Sequence, residues 1–438
     1  MSRHSQFSHP SCALLLSALA IAACASGPSE PAASAESADT AWIADTSFEV
    51  GATITASVSQ QPVGDWAEIA TNEELQIALV DAQWKFAKNR LARDGYHLNQ
   101  LSDTVRIVDT RQDGDLVTLT YEAKIDLIRE IATGESPPAF EELEPKVVRV
   151  KLPVQPTRAF RDAAGRCVER HGDPDGERNF FYYFDADASD CDLPMVEADV
   201  KATEVYPHEV VYPEYDKLLA TDLGGGKTGF RAALVPARGD HQALSRFAAH
   251  RAMLEQELQL VGEPIEDGKA LRFTYTKAGV AIAIDLFDPT RTSLTPQFRA
   301  ALGEYQLVFY NGHSIYGTRD LLSDASSFSD KYQIVMMHSC RSYPYYVRQV
   351  FRAKSTSEDP TGWAAADVVA TGESSYPRDS PRTLRPLLEG LLAGMASAHE
   401  GTGAAAPSWN AIVKQMNDRT RGIMYGVAGV RTNSWMPR

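Results

Sequence analysis

Two short stretches in the C-terminal third decide the fold: Leu307-Val-Phe-Tyr-Asn-Gly-His-Ser314 and Ile334-Val-Met-Met-His-Ser-Cys-Arg341. Each is an apolar run of strand length that ends in a small residue and a reactive side chain, His313 in the first and Cys340 in the second. In an open parallel sheet, ligands and reacting groups lie beyond the carboxyl ends of the strands. If these strands are neighbours, an imidazole and a thiol share one crevice, the minimum for a cysteine nucleophile activated by a base.

The surrounding sequence alternates between strand-like and helix-like segments. Further apolar runs of strand length occur at residues 231–235, 271–276, 280–286, 364–370 and 422–430. Helical patterns lie between them, at about residues 241–260, 296–302, 345 onward, 381–396 and 409–416. Such alternation predicts an α/β domain over residues 221–438, with a parallel sheet and helices on both faces.

The preceding segment has a different pattern. A helix is predicted over Glu73–Arg93, with Asn72 as its cap and Gly95 as its stop. Strand-like segments follow at residues 105–110, 116–128, 147–154 and 180–184. We therefore expect a smaller α+β domain over residues 51–220, serving as a pro-domain or binding module, and a glycine-rich hinge at 221–229.

The N-terminus has the composition of an export signal. Residues 1–24 combine a weakly basic start, a short apolar stretch and the sequence Ile21-Ala-Ala-Cys24. This resembles a bacterial lipobox, which implies that Cys24 carries lipid such as palmitate and becomes the mature N-terminus. Ala25 is not the aspartate of inner-membrane retention, so we expect an outer-membrane lipoprotein with a disordered tether at 25–50. An ordinary secretory signal with an incidental Cys24 is the alternative.

Five cysteines are present, and their expected roles differ. Cys12 lies in the signal and Cys24 in the lipobox. In an oxidising compartment Cys167 and Cys191 are a plausible disulfide pair, worth roughly 3 kcal/mol by the chain-entropy model. Cys340 is then the odd thiol: a reactive group, half of an intermolecular disulfide, or a buried structural residue.

Charge and motif content exclude several functions. The net charge of −15 argues against nucleic acid and against charge-driven adhesion to anionic lipid. The acidic run from Asp185 resembles a calcium loop but has Asp190 where glycine is needed and Val196 where glutamate is needed. Gly224-Gly-Gly-Lys-Thr228 lacks the preceding strand and following helix of a P-loop. We therefore expect no metal and no cofactor, and the oligomeric state stays open.

The order of strand, histidine, strand and cysteine resembles the caspase-like clan of cysteine peptidases, which includes caspases, legumains and gingipains. The resemblance covers about residues 229–438. It implies Cys340 as the nucleophile, His313 as the general base or acid, and the backbone N–H groups of Cys340 and Ser314 as the oxyanion hole. The clan has His-Gly where this chain has His313-Ser314. If that position needs a positive φ, serine carries a steric cost that glycine avoids.

His338 is an alternative base, because residues i and i+2 of a strand share a face and His338 precedes Cys340 by two. A buried, hydrogen-bonded histidine is the competing interpretation. Glu373 and Arg378 are candidates for reading a substrate side chain, with a solvated loop as the alternative.

Two functions follow from these residues. The first is a membrane-anchored cysteine endopeptidase with a peptide or protein substrate, touching the membrane through its N-terminal lipid only. The second is a non-catalytic caspase-like lipoprotein that acts as a binding or assembly module of the envelope.

Overall fold

The computed structural model describes residues 42–61, 66–98, 104–132, 134–168, 180–219, 221–223, 228–237, 242–314, 319–322, 324–402, 406–420 and 423–437. The expected signal, Cys24, most of the expected tether and residues 224–227 of the expected hinge lie outside these ranges. The described chain is a mixed α/β structure with two sheets. None of its described helices is both long and apolar enough to cross a bilayer.

The strands are β1 Ser47–Gln60, β2 Tyr96–Leu98, β3 Arg106–Asp113, β4 Leu116–Glu130, β5 Val147–Pro153, β6 Met195–Val205, β7 Thr221–Asp222, β8 Thr228–Pro236, β9 Gly262–Ile265, β10 Ala270–Lys277, β11 Val280–Phe287, β12 Leu307–Asn311, β13 Gln333–His338, β14 Ala366–Thr371 and β15 Tyr425–Ala428. The α-helices are α1 Trp66–Thr71, α2 Glu73–Trp84, α3 Lys88–Arg93, α4 Arg158–Ala163, α5 Phe180–Tyr183, α6 Tyr215–Leu218, α7 Ala243–Ala252, α8 Leu294–Glu304, α9 Arg319–Leu322, α10 Tyr343–Lys354, α11 Ser380–His399 and α12 Trp409–Arg419.

The first sheet is antiparallel, with the order β2-β4-β1-β6-β5 and β3 paired to β4. Its longest pair joins β1 and β4 from Ser47 opposite Glu130 to Gln60 opposite Val117. Alternate residues of β1 enter one apolar core, as the two-residue period of a strand requires. Glu130 is the last residue of β4 and lies beside β2, which pairs with the same end of β4.

The start of the folded chain differs from the expected tether of residues 25–50. β1 begins at Ser47, and Trp42, Ile43 and Ala44 are buried. Ile43 forms a bridge with Val427 of β15, with N–H···O distances of 2.8 and 2.9 Å. Residues 42–50 therefore belong to the packed structure and join β1 to the edge of the second sheet.

Two other expectations for the first region need correction. The helix predicted over Glu73–Arg93 is divided into α2 and α3 by a 3-10 turn, although Asn72 caps α2 and Gly95 ends α3 at a φ of 76°. The aromatic run 180–184 was predicted as a strand, and this is wrong. Phe180–Tyr183 form the helical turn α5, and Phe184 forms an isolated bridge with Val168. The rings of Phe180, Phe181 and Phe184 each pack edge-to-face with the ring of Phe86.

The second sheet has nine strands in the order β15-β14-β13-β12-β8-β11-β10-β9, with β7 paired to β8. Its centre, β11-β8-β12-β13-β14, is parallel, as expected. The edges are antiparallel, so the sheet is mixed rather than wholly parallel. Ala278 and Gly279, both at positive φ, form the two-residue turn between β10 and β11, and a connection this short permits only antiparallel pairing.

Chain order and spatial order diverge at the middle of the parallel centre. If the five parallel strands are numbered in chain order, their order across the sheet is second, first, third, fourth, fifth. The chain therefore adds β11 on one side of β8 and the later strands, beginning with β12, on the other side. In open α/β sheets such a switch point opens a crevice at the carboxyl ends of the strands. β12, which precedes His313, borders that crevice.

Candidate functional site

The candidate site begins where β12 and β13 leave the sheet side by side. Their parallel register runs from Leu307 opposite Ile334 to Asn311 opposite His338. The N–H of Gly312 donates to the carbonyl of His338 at 3.2 Å, which continues the pairing by one residue. His313 and Cys340 each lie two residues beyond the last paired position. The structure therefore places both on adjoining loops at one end of the sheet.

Gly312 is required for this exit. A Cβ on Gly312 would lie 2.5 Å from the Cβ of Ala237 and 2.3 Å from the hydroxyl oxygen of Tyr310, closer than real side chains approach. The same Tyr310 hydroxyl donates to the carbonyl of His313 at 3.0 Å. The backbone of His313 is thus fixed from the core side, while its side chain is exposed.

A hydrogen bond between serines links the two loops. The hydroxyl of Ser314 donates to the hydroxyl oxygen of Ser339 at 2.7 Å, and both residues are buried. Ser314 and Cys340 are the residues whose N–H groups the caspase-like resemblance assigns to an oxyanion hole. The serine pair holds the segments that carry these groups against each other.

Cys340 is half-buried beside the loop that follows β14. Its thiol donates to the carbonyl of Ser375 at 3.4 Å, and the N–H of Arg341 donates to the carbonyl of Glu373 at 2.7 Å. Arg341 has a φ of 48°, in the left-handed region, whereas the φ of Ser314 is not positive. A side chain in this region costs about 1–2 kcal/mol, and such strain is concentrated at functional sites.

His338 lies beneath the site in the core. Its ring stacks between Phe309 and Tyr425, with both centroid distances at 6.0 Å. Its Nε2 donates to the carbonyl of Tyr376 at 3.2 Å, and its Nδ1 accepts from the hydroxyl of Tyr425 at 2.7 Å. Burial lowers the pKa of His338 to about 4, so the ring is neutral near pH 7. Both ring nitrogens of this alternative base are engaged within the protein.

A second polar network holds the end of β12. The side-chain amide of Asn311 donates to the hydroxyl oxygen of Ser380 at 2.7 Å, and Nε2 of His250 lies 2.5 Å from the same oxygen. All three residues are buried. Burial, followed by the nearby His338 and Arg246, lowers the pKa of His250 to about 3. The first residue of α11 is thereby attached to the strand that delivers His313.

Sequence reasoning did not identify a cluster next to this site, formed by His97, Glu130 and Glu373. Nε2 of His97 lies 2.7 Å from a carboxylate oxygen of Glu130 and 3.7 Å from one of Glu373. Burial raises the pKa of Glu373 to about 7, and the neighbouring Glu130 adds to the effect. Burial lowers the pKa of His97 to about 4. Glu373, a candidate for reading a substrate, turns its carboxylate toward the first sheet.

The remaining candidates lie apart from one another. The guanidinium of Arg378 lies 5.3 Å from the ring centroid of Tyr376. The sulfur atoms of Cys167 and Cys191, the predicted pair, lie 2.08 Å apart, which is a disulfide bond length. They pack with the phenylalanines around Phe86 in a core of their own. Cys340 takes no part in that disulfide.

Comparisons of the chain with protein-family models, with curated proteins and with solved structures find no match. The chemistry of the site is therefore inferred from its own geometry. That geometry combines an exposed imidazole, a half-buried thiol and a strained residue between adjoining strand ends. The imidazole and the thiol are the components from which a thiol nucleophile and its base are built.

Proposed function

We propose that the protein is a caspase-like cysteine endopeptidase in which Cys340 is the nucleophile and His313 the base, anchored to the outer membrane by lipid on Cys24. The observation that carries the proposal is the register of β12 and β13, which pairs Asn311 with His338. It brings two loops, one with a histidine and one with a cysteine, to the same end of the sheet. The bond from Ser314 to Ser339 fixes these loops against each other.

The proposed reaction has two stages. His313 takes the thiol proton of Cys340, and the thiolate attacks the carbonyl carbon of the scissile peptide bond. The N–H groups of Cys340 and Ser314 stabilise the oxyanion of the tetrahedral intermediate. The intermediate collapses when protonated His313 gives its proton to the departing amine, which leaves a thioester on Cys340. Water, activated by the same imidazole, then hydrolyses the thioester and restores the thiol.

The environments of the two histidines favour His313 as the base. A base must reach both the thiol and the substrate, and the ring of His313 is exposed. The ring of His338 is 1% exposed and has a hydrogen-bond partner on each nitrogen. His338 would have to break one of these bonds in the core before accepting the thiol proton.

The state of Cys340 favours the second candidate, a non-catalytic binding or assembly module of the envelope. The thiol is half-buried and donates to the carbonyl of Ser375. A nucleophile must leave that contact before it attacks.

Labelling of the purified full chain in detergent tests the proposal. The probe is a peptide with an electrophilic group in place of the scissile bond, and the labelled residue is located by mass spectrometry. We expect modification at Cys340 near pH 7 and no modification of Cys340→Ala. Iodoacetamide provides the matched control, because it reports access to the thiol without peptide recognition.

The outcome separates the two candidates. Modification by the peptide probe at a rate well above that of iodoacetamide supports the peptidase. A folded protein that reacts with iodoacetamide but not with any of a panel of peptide probes contradicts it and supports the binding module. Folding is checked by circular dichroism on both proteins.

A further inference from the structure

The cluster of His97, Glu130 and Glu373 lies where the two sheets meet. His97 is the middle residue of β2, and Glu130 ends the neighbouring β4. Glu373 follows β14 of the second sheet by two residues. One nitrogen and two carboxylate oxygens, one from each side chain, lie within 4.8 Å of one another. Elements far apart in the sequence thus converge with their donor atoms facing inward.

The imidazole of His97 is held in place for this arrangement. Its side chain is 2% exposed, and its Nε2 points at both carboxylates. Gly372 leaves the room for it: a Cβ there would lie 3.1 Å from Cδ2 of His97 and 3.3 Å from Nε2. The ring packs on the backbone of the residue next to Glu373. The structure therefore orients the nitrogen donor before any ligand binds.

The charges of the cluster favour a cation. Two carboxylates converge on one buried imidazole, with an oxygen of Glu130 2.7 Å and an oxygen of Glu373 3.7 Å from Nε2 of His97. Arg341 is the cationic side chain whose charge acts on both His97 and Glu373. A single guanidinium offsets the charge of one carboxylate, so a bound cation would be attracted by the other.

We infer that His97, Glu130 and Glu373 form a binding site for a divalent transition-metal ion, best represented by Zn²⁺. A tetrahedral ion bound at about 2.1 Å needs donor atoms about 3.4 Å apart. Nε2 of His97 lies 2.7 and 3.7 Å from the two carboxylate oxygens, each within 1 Å of that value, and the three donor atoms all lie within 4.8 Å of one another. One nitrogen with two carboxylate oxygens is a zinc-type set, whereas calcium and magnesium prefer oxygen ligands alone. The site is separate from the chemistry proposed for Cys340.

The metal would connect the sheets beside the candidate site. Two of its ligands belong to the first sheet, and the third belongs to the loop whose carbonyl accepts the N–H of Arg341. Occupancy would hold residue 373 against β2 and β4. Binding of the metal should therefore oppose unfolding of the whole described unit, since it binds the folded arrangement alone.

Zinc titration of the purified full chain in detergent tests this inference. The measurement is made on Cys340→Ala, so that the thiol cannot contribute a ligand. We expect one Zn²⁺ per chain by isothermal titration calorimetry or by competition with a chromophoric chelator. Glu130→Gln and Glu373→Gln should each weaken the affinity at least tenfold. Glu122→Gln is the matched control, because Glu122 lies on the same strand and its replacement removes the same charge.

Thermal unfolding provides a second measurement on the same proteins. Zinc should raise the melting temperature of Cys340→Ala and of its Glu122→Gln derivative by the same amount, and that of the Glu130→Gln derivative by clearly less. Glu130 is exposed, so this variant is expected to fold. Two results would overturn the inference: no zinc bound at concentrations up to about 100 μM, or equal affinity with and without Glu130, which would place the ion elsewhere.

Discussion

The exposed loops at the end of the second sheet and the buried core directly beneath them each contain a histidine, and the two environments are opposite. His313 is exposed and held by its backbone. His338 is 1% exposed and held by its ring, between Phe309 and Tyr425. His313 follows β12 by two residues, and His338 ends the neighbouring β13 two residues before Cys340. Their comparison shows that nearness to a nucleophile does not assign a base, because solvent access and the partners of each nitrogen decide which ring can move a proton.

The largest effect expected from this comparison is on the reactivity of Cys340. His313→Ala should slow labelling by a peptide electrophile at pH 7 by about 100-fold or more, as loss of a general base does. His338→Phe, which keeps a stacked aromatic ring, should change the labelling rate only a few-fold. Second-order rate constants for both variants measure the difference. A larger loss in His338→Phe would assign the base to the buried ring.

The next effect concerns stability, and here the substitution of His338 is expected to cost more than the substitution of His313. His338→Ala removes a buried ring and leaves the hydroxyl of Tyr425 without its acceptor, which should lower the free energy of unfolding by about 3–5 kcal/mol. His313→Ala should change it by no more than about 0.5 kcal/mol, as expected for an exposed side chain. Urea denaturation followed by circular dichroism compares the two. Equal losses would show that the exposed ring also supports the fold.

The buried histidine should also make stability depend on pH. Burial lowers the pKa of His338 from 6.5 to about 4, so the unfolded chain binds a proton that the folded protein excludes between these values. The free energy of unfolding therefore falls as the pH is lowered through this window. His338→Phe should reduce the slope by about 1 kcal/mol per pH unit between about pH 6 and pH 5. Phe309→Leu, a neighbour without a titrating group, is the control and should keep the slope of the unmodified protein.

The smallest effect concerns the strained residue after Cys340. Arg341→Gly and Arg341→Ala both remove the guanidinium, but glycine alone adopts a φ of 48° without a steric penalty. The glycine variant should therefore be more stable than the alanine variant by about 1 kcal/mol. Chemical denaturation of the pair isolates the backbone contribution. Identical stabilities would show that the loop relaxes when the side chain is lost.

The parallel centre of the second sheet was predictable because its strands are buried on both faces. β12 and β13 are therefore apolar runs that periodicity detects directly. β1 also carries a period-two signal, because Phe48, Val50, Ile54 and Val58 alternate with mostly polar residues. The strand was missed because its first residues belong to the stretch 25–50, whose composition predicted a tether. The run at 180–184 was assigned wrongly because an aromatic run suits a strand or a helical turn, and its packing against Phe86 decides between them.

The candidate site was predictable in part for a related reason. His313 and Cys340 follow their strands within two residues, so the strand prediction locates them together. The partners of His338 come from two other elements, with Tyr425 on β15 and Tyr376 in the loop after β14. His97, Glu130 and Glu373 meet only when two sheets pack. Contacts of this kind form only in the tertiary structure, so the local periodicity of the sequence does not predict them.

The pairing of Ile43 with Val427 has a consequence for any processing of the chain. The segment that leads into the first sheet is bonded to the last strand of the second, and Trp42 packs edge-on against Tyr343 at the start of α10. Lys88 of α3 adds a hydrogen bond to the carbonyl of Pro344 on the same helix. A protease that cut within residues 221–229 would therefore not release the first sheet as a removable pro-segment. It would convert one polypeptide into a non-covalent heterodimer whose two chains co-purify until they are denatured.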